Sequence, residues 1–195
     1  MSLNIIETNI SSRMAVIDLE SKLLQEGIIE INDVFYAETV SVWRNALLYL
    51  MAKFKPEDTQ GKPIQLHINS PGGDAYSMLG LYDTIQMMKD KGYVISTINV
   101  GLAASAACFI LLSGSDGYRK SLKHARTMIH TVSSFSIGKI ADMEVSMEET
   151  KALQKMADSI ISDHASSELI EKCKYLDFWM GSEEALQYKV IDKII

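Results

Sequence analysis

Apolar positions along this chain recur with two different periods, and the alternation between them lays out the elements. Ile28 to Ile31 is a short β-branched run and predicts a strand. From Glu38 to Phe54, the residues Val40, Trp43, Leu47, Leu50, Met51 and Phe54 return every three or four positions, which predicts an amphipathic helix. Lys55 to Lys62, with Pro56 and Gly61, reads as a polar loop. Ile64 to Ile68 predicts a buried strand. Asp74 to Lys89 predicts a helix with Met78, Leu81, Tyr82, Ile85 and Met88 inward. Val94 to Val100 reads as a strand, Ser105 to Ser113 as a buried helix, and Ser113 to Gly117 as a turn. Short strands are expected around Tyr118 to Ser121 and Thr127 to His130. A long helical pattern runs from Lys139 to His164. Shorter helices follow over Ser167 to Cys173 and Glu183 to Tyr188, and Val190 to Ile195 reads as a closing strand. Strands alternating with helices predict α/β architecture.

The long pattern has an apolar stripe of Ile140, Met143, Met147, Thr150, Leu153, Met156, Ile160 and Ile161, opposite Asp142, Glu148, Glu149, Lys151 and Lys155. By periodicity alone, it is one amphipathic helix packed on the core. A methionine-rich stripe also suits an adaptable interface.

Composition narrows the class. A chain of 195 residues suits a single domain with one sizeable core. A net charge of −6 and a pI near 5.2 argue against nucleic acid as a partner. Cys108 and Cys173 form neither a disulfide framework nor a zinc motif, which fits a reducing compartment. Met1 to Arg13 is polar and lacks a signal-peptide core, and the apolar stretch Val100 to Leu112 is too short to span a bilayer. The expected setting is cytoplasmic, with no membrane contact.

Three places carry candidate chemistry. Gly101-Leu102-Ala103-Ala104-Ser105-Ala106-Ala107-Cys108 joins a strand to a helix through small residues, with one hydroxyl at the first helical turn. Ser105 there is either a helix cap or a nucleophile that the helix N-terminus favours. Asn69-Ser70-Pro71-Gly72-Gly73-Asp74 is either an ordinary βα turn or a cradle of bare N–H groups. Thr127-Met128-Ile129-His130 ends a strand on a histidine that is either structural or a general base for Ser105. Asp74 reads as a helix cap, and Asp83 and Glu144 as solvated faces. His67 lies on the strand face opposite Ile64, Leu66 and Ile68, His124 sits in a basic turn, and His164 ends a helix. No histidine pair has metal-ligand spacing.

These motifs, in this order, resemble the proteolytic subunits of the Clp protease (the ClpP family, within the crotonase-like superfamily). The resemblance is carried by Asn69-Ser70-Pro71-Gly72-Gly73, Gly101-Leu102-Ala103-Ala104-Ser105, Met128-Ile129-His130 and Asp177-Phe178-Trp179-Met180-Gly181-Ser182-Glu183-Glu184-Ala185. It runs from Leu19–Leu24 to Val190-Ile191-Asp192. It implies a repeated ββα superhelix with a protruding handle helix, in a single peptidase domain over residues 1–195. The handle region would cover residues 131–165, and residues 1–16 would line an axial pore. Ser105 would be the nucleophile, His130 the base and Asp177 its orienting carboxylate, with the backbone N–H groups of Gly73 and Ala106 as the oxyanion hole. Substrates would be peptides and unfolded proteins. The partners would be copies of the chain, in a heptameric ring or double-ring tetradecamer, and an AAA+ unfoldase of the Clp type. The chain itself would need no cofactor or metal, since ATP is used by the unfoldase.

The sequence departs from the family pattern at three places. Thr131-Val132-Ser133-Ser134-Phe135-Ser136 follows His130, where many members carry Pro and then glycines. Leu176 stands where many carry an Arg that joins an inter-ring ion pair. Ile31-Asn32-Asp33 replaces a Gly-Gly. The alternatives are a non-catalytic or latent ring subunit, a crotonase-type acyl-CoA enzyme that would not need Ser105, His130 and Asp177 together, and a Ser–Lys peptidase using Lys120 or Lys123.

Overall fold

The computed structural model describes residues 4–8 and 14–195, with side chains from Ile17 onward. Strand β1 (Asn4–Thr8) pairs antiparallel with β2 (Met14–Asp18). The rest of the pore-lining segment expected over residues 1–16, including its side chains, lies outside the described residues. Asp18 caps α1 (Leu19–Gln25), its carboxylate accepting the Ser21 N–H at 2.8 Å and the Ser21 hydroxyl at 2.7 Å.

A parallel sheet forms the centre. Its order is β3 (Ile28–Ile31), β4 (Ile64–Ser70), β5 (Ile95–Ala104), β6 (Arg119–Ser121) and β9 (Lys193–Ile194). Helices α2 (Ala37–Lys53), α4 (Ala75–Asp90) and α5 (Ala106–Leu112) pack with it. The predicted inward faces hold: Val40, Trp43, Leu47 and Leu50 of α2 and Met78, Leu81, Tyr82, Ile85 and Met88 of α4 are buried, and α5 is buried throughout. A parallel sheet whose strands alternate with helices, with one long helix, α6 (Ile140–His164), is the α/β architecture that the resemblance implies.

Strand β5 runs four residues beyond the predicted Val100, and it forks. Thr97–Asn99 pair with β6, while Leu102–Ala104 pair with β7 (Arg126–Ile129). The fork would strand backbone groups, and the fully buried Asn99 satisfies them. Its Nδ2 donates to Arg126 O at 2.8 Å and to Thr127 Oγ1 at 3.1 Å, and its Oδ1 accepts the Gly101 N–H at 3.1 Å. β7 then pairs antiparallel with β8 (Phe178–Met180).

Several elements differ from the sequence expectation. The loop expected over Lys55 to Lys62 contains a helix, α3 (Pro56–Gly61), because Pro56 stands at its first position, where no N–H is needed. Buried Thr59 ties it down, donating to Pro56 O at 2.7 Å and accepting the Val94 N–H at 2.9 Å. The closing strand shrinks to β9, because Lys189 adopts φ +61° and turns Val190 and Ile191 into the core instead. α7 (Glu168–Cys173) and α8 (Ser182–Gln187) fall near their expected places.

α6 is not packed on the core along its length. Ala157, Ile160 and Ile161 are buried, whereas Ile140 is 72 % and Met147 57 % exposed. Its root is fixed by polar groups. Tyr82 Oη and His164 Nε2 lie 2.7 Å apart, and buried Arg119 donates to His164 O at 2.6 Å. The same guanidinium grips Asp192 in a fork, with Nη2 to Oδ1 at 2.5 Å and Nε to Oδ2 at 3.1 Å. Arg119 thus joins sheet, handle root and C-terminal segment.

Arg119→Met should cost about 3 kcal/mol of unfolding free energy, because it leaves a part-buried carboxylate without its partner. Burial alone would raise the Asp192 carboxyl, but the Arg119 hydrogen bonds and charge outweigh it and hold the group below its ordinary value. A depressed folded value contributes stability above about pH 4 that is lost as pH falls through it. Denaturant melts at pH 7 and pH 3 should therefore show a flatter acid dependence in Arg119→Met than in the unaltered chain.

Candidate active site

Strand registers alone bring the candidate residues together. Ala104 pairs with Met128, so the residue after β5 lies beside the end of β7. Ile129 pairs with Phe178 in the antiparallel β7–β8 ladder, so His130 and Asp177, the next residue out on each strand, face each other. Ser105 Oγ lies 2.8 Å from His130 Nε2. His130 Nδ1 lies 3.4 Å from Asp177 Oδ1, a contact too long for a good hydrogen bond, and the Asp177 side chain is 59 % exposed. The structure therefore closes the Ser–His half of the constellation tightly and leaves the His–Asp half loose.

Ser105 occupies a sharp strand-to-helix turn at φ +54°, ψ −124°. A non-glycine residue there stores about 1–3 kcal/mol of strain. Its N–H donates to Met128 O at 2.9 Å and its carbonyl accepts the Cys108 N–H at 2.9 Å, so both neighbouring elements hold it. Gly72 lies directly against this turn. A Cβ on Gly72 would sit 2.5 Å from Ala104 O, 2.8 Å from Ala106 N and 2.8 Å from Ser105 Cβ, and its φ is +91°. This close approach, rather than turn formation alone, is what the Pro-Gly-Gly sequence serves.

The turn itself is pinned from below. Ser70 Oγ donates to Asp33 O at 2.5 Å and accepts the Gly72 N–H at 3.1 Å. Phe35 N–H bonds Gly72 O at 2.9 Å, and Asp74 N–H bonds Phe35 O at 2.8 Å. This isolated parallel bridge uses the groups on either side of Gly73, so the Gly73 N–H points the other way. Among the described residues, the N–H groups of Gly73 and Ala106 have no acceptor within the chain. Asp74 caps α4 as expected, accepting the Ser77 N–H at 2.7 Å.

Ser105, His130, Gly73 and Ala106 all border one groove of about 520 Å3. Met78, Leu79, Phe109, Leu153 and Ala157 give it an apolar lining. The far wall is α6, whose Val145, Ser146, Glu149, Thr150 and Leu153 face inward, and Glu149 Oε1 accepts the Tyr76 hydroxyl at 3.1 Å. Sequence reasoning missed this wall. The signal was the spacing of 145, 146 and 149, which widens the apolar stripe at Thr150 and Leu153 toward the groove.

The other candidates lie elsewhere. His67 Nδ1 is 2.9 Å from Glu30 Oε1 on the opposite sheet face. Lys120 Nζ lies over the Tyr118 ring, and neither Lys120 nor Lys123 borders the groove. Burial, with a smaller effect of Cys173, pushes the Cys108 thiol up to about 12, so it is inert at neutral pH. Among the described residues, no three His, Cys, Asp or Glu side chains converge as a metal site, and no helix is long and apolar enough to cross a membrane.

A serine on a strained strand–helix turn, within hydrogen-bond reach of a histidine and bordered by unpaired N–H groups, has the geometry of a serine hydrolase. Comparison with known proteins gives the particular family. The Clp protease family profile matches residues 11–195. The chain is 36 % identical over 184 residues to the ATP-dependent Clp protease proteolytic subunit of Porphyromonas gingivalis, covering 93 % of this chain and 79 % of that one. It is 34 % identical over 181 residues to that of Bacteroides thetaiotaomicron, covering 92 % and 79 %. Proteolytic subunit 1 of Prochlorococcus marinus is 36 % identical over 182 residues, covering 92 % and 89 %. The chain belongs to the Clp protease (ClpP) family.

The strain at Ser105 is testable without any substrate. Ser105→Gly should be more stable than Ser105→Ala by about 1 kcal/mol, because glycine alone adopts φ +54° without cost. Chemical denaturation of the two variants measures this difference, and equal midpoints would mean that the turn stores no strain.

Proposed function

We propose that the chain is a serine endopeptidase cleaving peptides and unfolded proteins through Ser105, His130 and Asp177. The observation carrying this reading is the 2.8 Å contact of Ser105 Oγ with His130 Nε2 on the border of an open groove. His130 accepts the Ser105 proton as the hydroxyl attacks the scissile carbonyl. The N–H groups of Gly73 and Ala106 receive the developing oxyanion, and losing one such donor typically costs about 100- to 1,000-fold in turnover. The proton passes from His130 to the leaving amine. Water, deprotonated by the same imidazole, then releases the acyl group from Ser105. Asp177 holds the Nδ1–H tautomer and stabilises the imidazolium.

Assembly belongs to the same proposal. Phe135 is 90 % and Ile137 85 % exposed, and the outer half of α6 presents Ile140 and Met147 to solvent. That much apolar surface fits burial between chains. It supports burial between copies of the chain, and we extend this to a heptameric ring or a stacked double ring that encloses the grooves, with an AAA+ unfoldase of the Clp type delivering folded substrates in the cytoplasm. The loose His130–Asp177 contact favours a second reading of the isolated chain as a latent subunit. Tyr175 and Leu176, exposed beside Asp177, would be covered when chains assemble.

Turnover of short fluorogenic peptides without ATP tests the reading. Ser105→Ala should abolish it, and Asp177→Asn should lower it by about 100-fold or more. Retained turnover in Ser105→Ala would remove Ser105 from the mechanism. An unchanged rate in Asp177→Asn would mean that another group orients His130. Absence of turnover in the assembled, unaltered chain would favour a non-catalytic subunit or the crotonase-type alternative.

A further inference from the structure

Between β7 and α6, residues 130–139 have no regular structure, yet this stretch begins with the candidate base. Among the described residues, two side-chain hydrogen bonds from α6 hold it. Thr150 Oγ1 lies within hydrogen-bond distance of Ser134 Oγ, at 2.8 Å, and Gln154 Oε1 accepts the Val132 N–H at 2.7 Å. The Gln154 bond is part-buried and lies two residues from His130. Its direction is fixed as well. Gln154 Nε2 donates to Asp158 Oδ1 at 2.7 Å, so turning the amide over would oppose N–H to N–H and oxygen to oxygen. Gln154 does not border the groove, so it touches neither substrate nor the reacting atoms.

We propose that Gln154 is a positioning residue for the catalytic base, anchoring the His130–Val132 stretch to α6. The β7–β8 ladder fixes the chain up to Ile129, and the Val132 tether fixes it just beyond. His130 is held between them, which keeps Nε2 at hydrogen-bond distance from Ser105 Oγ. Without the tether, Val132 N–H turns to solvent and the His130 peptide units are free to swing. A misplaced base slows the chemical step. Thr131, Val132, Ser133 and Ser134 also line the groove, so substrate binding shifts too, but less than the chemical step. Asp158 acts one step further back, by orienting the Gln154 amide.

The inference rests on the serine-peptidase reading, and the experiment separates the two. Steady-state peptide kinetics would be measured for the unaltered chain, Gln154→Ala, and the double variant Gln154→Glu with Asp158→Asn. The double variant keeps an acceptor for Val132 N–H and restores the second bond with its donor on the other side chain. Native mass is recorded for each, and hydrogen exchange is followed in the 131–136 segment. Gln154→Ala should lower kcat about tenfold, the worth of one part-buried hydrogen bond, with a smaller change in KM because the tethered segment lines the groove. Its 131–136 amides should exchange faster, and the double variant should recover most of both effects. An unchanged kcat, a change confined to KM, or a fall that the double variant does not recover would overturn the inference alone. An assembled, unaltered chain that turns over no peptide would overturn the serine-peptidase reading, and this inference with it.

Discussion

The contact of Gly72 with the Ser105 turn is the constraint on which the site depends. Ser105 keeps its strained backbone only because β5 delivers it, α5 leads it away, and β7 holds its N–H. The end of β5 and the start of α5 pass close to the Gly72–Gly73 turn, which no side chain on Gly72 would permit. A register irregularity in β4 between Ile68 and Ser70 precedes the turn, and the Phe35 bridge fixes it there. The same packing that strains the serine leaves the Gly73 and Ala106 N–H groups unpaired at the groove edge. Strain, close approach and free donors are one arrangement, drawn from three strands, the Phe35 bridge and one helix.

The fork of β5 extends this logic to His130. One strand feeds β6, which carries Arg119 and the root of the handle, and β7, which carries His130. Asn99 supplies the hydrogen bonds that the fork would otherwise leave unmade. The handle leaves the body near the base, packs back at Ala157, Ile160 and Ile161, and walls the groove on the way. The groove is therefore built partly from an element whose outer half lacks packing of its own. Asp177, on the exposed lip beside Tyr175 and Leu176, is the least supported member of the constellation.

Much of this was legible in the sequence where structure is local. The faces of α2 and α4, the buried α5 and the Asp74 cap follow from periodicity and capping chemistry. The sequence hides α3 because Pro56 looks like a breaker, although proline suits the first turn of a helix. β8 was not legible. Phe178-Trp179-Met180 is a strand only because β7 offers a partner some fifty residues earlier, as the Ile129–Phe178 pairing shows. Asp177 was for the same reason a loop residue by its own surroundings, and only the family motif singled it out. The stripe of α6 was visible in full, but periodicity cannot say what covers a face. The structure leaves most of its outer half open, where a core-packed helix would have buried it.

The central claim is that Ser105 is an activated nucleophile whose full constellation is completed in an assembly. Intact-protein mass spectrometry after exposure to a fluorophosphonate, with native mass recorded on the same sample, tests it most directly. The account predicts one adduct per chain, absent from Ser105→Ala, forming fastest on ring-sized particles. A ring-sized particle that takes no adduct, or an adduct that persists in Ser105→Ala, would contradict it.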